Sequence, residues 1–232
     1  KEEKFAYAEV DPSIEYGFVS VCAGKGLTDV FADLGCDNIV SGGQTMNPST
    51  EDILAAVQAT PAKNVFVLPN NKNIIMAAQQ AAEIADRNVI VIPSKTVPQG
   101  ISAMLSYDCE ASVKDNTEAM NEALTAVTTG QVTFAARDSD FDGHKIKEGE
   151  LLAMKEGKML YTGKDMELIC TRLAKALVTK ETSMVTVYYG EDITEEQAEE
   201  IRSAIEAKLP NSIEVGAIYG GQPVYYYIIS AE

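Results

Sequence analysis

The sequence predicts an α/β protein, with a parallel-sheet βα subdomain first and a smaller α+β subdomain on a mixed sheet after it. Three observations carry that reading. Between Gly17 and Ile92, short runs that are apolar throughout alternate with amphipathic helical stretches, the pattern of a parallel sheet covered on both faces. Beyond Gly130 the order changes to hairpins and helices set between short strands. Finally, 46% of the 232 residues are hydrophobic and 23% charged, which is ample for a core.

Residues 1–16 are polar and read as a leader or linker, and a chain that starts at Lys1 without Met is expected to be part of a longer one. Gly17–Cys22 is a buried strand, and Leu27, Val30, Phe31 and Leu34 follow at helical spacing up to Gly35. Asn38–Val40 is the second strand. A second helix carries Ile53, Leu54 and Val57 and ends before Pro61. Asn64–Leu68, a helix over Ile74–Ala85 and the strand Asn88–Ile92 complete the first subdomain, 17–107. A connecting helix is expected over Asp115–Thr129, inside a connector of 108–130.

The second subdomain, 131–232, opens with a strand over Val132–Ala136 and a hairpin pairing Leu151–Met154 with Met159–Tyr161 across Lys155–Lys158. Met166, Ile169, Cys170, Leu173, Ala174 and Leu177 form a helical stripe. Met184–Tyr189 is a strand, and Thr194 with Gln197 makes a capping box for a helix to Leu209. Ile213–Ile218 and Val224–Ile229 close the fold, with Tyr225 and Tyr227 on one face and Tyr226 on the other.

A net charge of −16 argues against nucleic acid or an anionic membrane as partner, since no basic stripe is present to neutralise phosphates. No apolar run reaches the ~18 residues of a membrane span, and no signal peptide is visible. Cys22, Cys36, Cys109 and Cys170 form no C-x-x-C pair and read as free thiols of a cytoplasmic protein.

In open parallel sheets, ligands sit outside the carboxyl ends of the strands. Four polar loops fall there and are expected to converge on one rim: Gly24-Lys25-Gly26, Ser41 to Ser49, Pro69 to Asn73 and Ser94 to Gln99. The candidate rim residues are Gly24, Lys25, Gly26, Ser41, Gly42, Gly43, Gln44, Thr45, Met46 and Asn47, then Asn70, Asn71, Lys72 and Asn73, then Ser94, Lys95, Thr96 and Gln99. Gly42-Gly43 allows positive φ. Asn47 or Ser49 caps the next helix, and Pro48 suits its first turn. Bare NH groups there can hold an anion, although a well-made βα loop has the same composition.

Catalytic signatures are missing. Gly24-x-Gly26 lacks the third glycine of a dinucleotide fingerprint, since Asp29 takes its place, and no phosphate loop occurs. Lys25 could meet an anion or simply be solvated. Asp138-x-Asp140-x-Asp142-Gly143 resembles the opening of a calcium loop, but Gly149 stands where Glu is required and a strand precedes it. His144, the only histidine, lies in that acidic turn. No metal site and no catalytic set are expected.

The string Ser-Gly-Gly-Gln-Thr-Met-Asn-Pro-Ser-Thr at 41–50 resembles a signature of the C-terminal region of bacterial fatty acid kinase A subunits. The resemblance continues at Leu68–Asn73, Pro93–Gly100, Arg137-Asp138, Asp142-Gly143 and Gly220–Tyr225, so it covers nearly the whole chain. It implies a fold similar to the dihydroxyacetone kinase substrate domain and to the DegV-family fatty-acid-binding B subunits. It also implies a module, inactive alone, that docks the B subunit, while ATP and magnesium belong to a kinase domain elsewhere in the parent protein. The histidine that holds substrate in dihydroxyacetone kinases has no counterpart motif here, since His144 lies in a different context. The alternative is a small-molecule site of dihydroxyacetone-like or anionic type, with Ser41, Thr45, Asn47 and Ser94 as donors. A third reading is a homodimerisation module. A docking surface would expose apolar anchors such as Met46 or Val97; a ligand site would be a closed polar pocket.

Overall fold

The computed structural model describes residues 5–44, 46–141 and 143–232. The chain divides into two compact units. The first runs to Ala23 and resumes over Leu27–Ala126; the second combines Gly24–Gly26 with Val127–Glu232.

The first unit is built on β1 (Tyr16–Cys22), β2 (Asn38–Ser41), β3 (Asn64–Leu68) and β4 (Asn88–Val91), all parallel, in the order β2-β1-β3-β4. Its helices are α1 (Lys25–Asp33, whose first turn groups with the second unit), α2 (Thr50–Gln58), α3 (Ile75–Ile84), α4 (Val97–Leu105) and α5 (Val113–Thr125). Both sheet faces are buried, as runs apolar at every position demand. Val19, Val21, Val65 and Val67 pack with Ile53, Val57, Ala78 and Ala81. Phe18 stacks on Phe66 at 5.4 Å and meets Tyr107 edge-on at 4.8 Å.

Several boundaries differ from the expectation, each for a local reason. Of the two expected cap candidates, Ser49 caps α2: its hydroxyl accepts from the Asp52 amide while the Asp52 carboxylate accepts from the Ser49 amide. Pro48 therefore precedes the helix instead of starting it. Helix α4 was not anticipated, yet Thr96 caps it and Pro98 sits in its first turn. The connecting helix is shorter than expected, because Thr128 already pairs with Ala231 in the second sheet.

In the second unit, β5 (Thr128–Phe134), β8 (Leu151–Lys155), β9 (Lys158–Gly163), β10 (Met184–Tyr189), β11 (Glu214–Tyr219) and β12 (Tyr227–Ala231) form a mixed sheet. Its order is β11-β10-β12-β5-β8-β9, parallel only between β10 and β11. Helices α6 (Met166–Leu177) and α7 (Glu195–Lys208) cover one face, where Leu173, Leu177 and Ile205 meet Val132, Val187 and Ile229. The Thr194–Gln197 capping box forms in both directions. The acidic turn is a small hairpin, β6 (Ser139–Phe141) with β7 (His144–Ile146); Asp142 lies outside the described residues. The last strand starts three residues later than expected, because Val224 takes a positive φ of 71° and Tyr225 is still in the turn.

Candidate functional site

Three of the four rim loops are bonded into one network at the carboxyl ends of the first sheet. Asn70, just past β3, has a φ of 58°. Its amide donates to Ser94 Oγ at 2.9 Å, that hydroxyl donates back to Asn70 Oδ1 at 2.8 Å, and Asn70 Nδ2 donates to the Val21 carbonyl at 2.9 Å. One side chain thus ties the ends of β1, β3 and β4 together. Ser94 is 0% exposed.

The glycine loop after β2 joins the same network. Gly42 N–H donates to the Cys22 carbonyl, Gly43 N–H donates to the Met46 carbonyl at 2.7 Å, and Asn71 Nδ2 donates to the Gly43 carbonyl at 2.6 Å. Asn71 Oδ1 in turn accepts from the Asn73 amide. At the start of α4, Gln99 Oε1 accepts from the Lys95 amide at 2.7 Å, its Nε2 donates to the Leu124 carbonyl, and its amide reaches Thr96 Oγ1.

Several of the amides expected to hold an anion are therefore occupied, those of Ser49 and Asp52 by the capping box of α2 and those of Gly42 and Gly43 by carbonyls. Ser94, expected as a ligand donor, is spent on Asn70. What the rim offers outward is a set of exposed side chains: Ser41, Asn47, Lys72, Asn73, Lys95 and above all Met46, which is 77% exposed. Val97, the other expected anchor, is buried at the start of α4. Gln44 Oε1 is buried with no partner among the described residues, and Thr45, another expected donor, lies outside them.

Gly24-Lys25-Gly26 groups with the second unit. A Cβ on Gly26 would strike the Tyr219 carbonyl, and one on Gly24 would meet the Gly220 carbonyl and the Gln222 amide. Two glycine-bearing stretches far apart in sequence, 24–26 and 220–223, thus meet backbone to backbone. Gln222, 1% exposed, fixes that loop by donating from Nε2 to the Tyr188 carbonyl at 2.9 Å. Its importance escaped the sequence reading, although a glutamine between Gly-Gly and Pro in an apolar stretch was the available signal.

Elsewhere, His144 is exposed in β7. Burial pushes the Cys36 thiol up to about 11 and the Cys170 thiol higher still, so neither is a thiolate nucleophile at neutral pH. No group of three or more metal-ligating side chains occurs among the described residues, and no helix there is long and apolar enough to cross a membrane.

A family model for FakA-like C-terminal domains, the C-terminal part of the fatty acid kinase A subunit and proteins like it, matches residues 17–232. Protein YloV of Bacillus subtilis is 42% identical over 233 residues, covering 100% of this chain and 42% of that protein. An uncharacterized protein of Staphylococcus haemolyticus is 37% identical over 224 residues, covering 97% of this chain and 40% of its own length. The chain thus spans about two fifths of these curated relatives, as those shares of 42% and 40% state.

Solved structures share the fold at low identity. A DegV family protein of Corynebacterium glutamicum superposes with a TM-score of 0.68 at 16% identity, covering 95% of this chain and 97% of that one. The Streptococcus pneumoniae Fatty Acid Kinase B3 protein loaded with linoleic acid gives 0.62 at 12%, covering 94% and 99%. The dihydroxyacetone kinase of C. freundii gives 0.64 at 12%, covering 97% of this chain and 51% of that one. With the family model matched from residue 17 to residue 232 and the α/β architecture in agreement, this chain belongs to the family of FakA-like C-terminal domains of fatty acid kinases.

Proposed function

We propose that this chain is the docking module of a fatty acid kinase, binding a DegV-family fatty-acid-binding protein so that a kinase domain elsewhere in the parent protein can phosphorylate the acyl group. The observation that carries the reading is the state of the rim. Asn70, Asn71 and Ser94 are bonded within the rim, and Gln44 Oε1 is its buried atom without a partner among the described residues, so few groups remain to coordinate a small molecule, while Met46, Asn47, Lys72 and Lys95 are exposed. An exposed methionine among polar neighbours is an adaptable protein contact. Family membership supplies the context, and in this reading ATP and magnesium are handled outside this chain.

Calorimetric titration of the chain with the DegV-family protein of the same bacterium tests the proposal. Saturable binding is expected, weakened about tenfold or more by Met46→Ala or Lys72→Ala. Absence of binding, together with a heat of binding for dihydroxyacetone or inorganic phosphate, would replace docking with a small-ligand function.

A further inference from the structure

At one end of the six-stranded sheet, four neighbouring strands each carry an aromatic ring. In spatial order these are Tyr219 at the end of β11, Tyr189 at the end of β10, Tyr226 just ahead of β12 and Phe134 at the end of β5. Tyr189 pairs in register with Tyr219, and their ring centroids are 5.4 Å apart; those of Phe134 and Tyr226 are 5.7 Å apart. Two residues earlier on the same strands, Val187, Ala217 and Val132 belong to the core under α6 and α7, so strand alternation puts Tyr189, Tyr219 and Phe134 on that same face, against which Tyr226 also packs. The row is therefore the place where the covered face runs out into solvent: Tyr219 and Phe134 are 44% and 43% exposed.

The segments that follow these strands are rich in carboxylates. The loop after β10 and the first turn of α7 carry Glu191, Asp192, Glu195 and Glu196, all four exposed. The Tyr189 hydroxyl is raised first by burial and then by the negative charge of Glu195, with Tyr219 and Glu196 adding to it. From Ser183 to Ile201 and from Leu209 to Glu232 the sequence contains no lysine or arginine. The basic residues that bound these stretches are Lys180, Lys208 and Arg202, the last paired with Glu199 and Glu206 on its own helix; Lys25 and Arg137, three positions beyond Phe134, stand at the margins.

We propose that this aromatic row with its carboxylate edge is a second docking surface, fitted to an arginine-bearing basic segment of a partner protein. Guanidinium groups stack on tyrosine faces and pair with carboxylates, and arginine with tyrosine is the pairing that dominates well-packed interfaces. The same carboxylates repel an anionic lipid surface or a nucleic acid. The surface is assigned from this chain alone; that its partner is the DegV-family protein rests on the docking reading above.

The test is titration of the chain with that protein at about 50 mM and about 300 mM NaCl, a range across which screening of exposed charges changes strongly. The variants are Phe134→Ser, Tyr219→Ser and the double variant Glu195→Lys with Glu196→Lys, each checked for fold by circular dichroism and melting. A loss of about tenfold or more is expected for each variant, with salt weakening the wild type and not the charge-reversed variant. The two glutamates are exposed at a helix start, so that double variant remains informative if an aromatic one unfolds. Wild-type affinity in folded charge-reversed protein overturns the surface and leaves the docking reading intact. Failure of the wild-type chain to bind overturns both.

Discussion

Asn70 and its neighbours show how the rim is held at the level of single atoms. Gly100 lies in α4, where alanine would ordinarily gain about 1 kcal/mol in helix propensity. Here a Cβ would collide with Asn70 Oδ1, the atom that accepts from Ser94. Gly100→Ala is therefore expected to lose about 2 kcal/mol of stability, whereas Gly216→Ala, with nothing within 4 Å of its Cβ, should have a far smaller effect; thermal melting of the pair decides this. Cys36 is a second case. Its thiol lies against the carbonyls of Phe18 and Asn38, and burial raises it from 9.0 to about 11. The unfolded thiol ionises first, so its contribution is complete below pH 9 and is lost as pH rises toward 11. Wild type is expected to lose about 2 kcal/mol more than Cys36→Ala across that range, read from denaturant titrations.

The segment read as a leader is an element in its own right. Its described residues form no helix or strand before Tyr16, yet Phe5 packs on the valine core, and the amides of Ala8 and Asp11 donate to the Gln58 and Pro61 carbonyls. The Tyr7 hydroxyl donates to Asp86 at 2.5 Å, while the Arg87 guanidinium stands 5.5 Å from the Tyr7 ring. Arg87 is the pin: it donates from Nε to Asp86 and from Nη1 to the Thr60 carbonyl, both at 2.8 Å. Arg87→Met is expected to cost about 3 kcal/mol and to release the Ala8 and Asp11 amides to rapid hydrogen exchange. Tyr7→Ala should release the same amides with a change of stability under about 1 kcal/mol. Protection unchanged in both would show that the strap holds by Phe5 alone.

For the chain as a whole, the net charge of −16 gives the docking reading its expected character. Attraction to a basic partner would be long-ranged and salt-sensitive, and specificity would come from the few exposed anchors, Met46 in the first unit and the tyrosine row in the second. Both units were legible as sheet-and-helix patterns, because a doubly covered parallel strand must be apolar throughout and an amphipathic helix must repeat its apolar face. Helix α4 was hidden because its polar start, Ser94 to Gln99, reads equally well as loop. Its residues are helical because Thr96 caps them and because Gln99 takes up the Lys95 amide.

From the sequence alone came the α/β class, the position of nearly every strand, the capping box of α7 and the family resemblance at 41–50 and 220–225. Those follow from periodicity and local hydrogen-bond chemistry, which act over a few residues and are written in neighbouring letters. Tertiary structure alone decided which rim groups stay available. It consumed Ser94 and Asn70 in each other's bonds, buried Val97, left Met46 in solvent and drew Gly24–Gly26 onto Tyr219–Gln222. It also brought two aromatic pairs, Tyr189 with Tyr219 and Phe134 with Tyr226, to one end of the second sheet. Such outcomes depend on strand order and on contacts between residues far apart in the chain, about which composition and spacing carry no information.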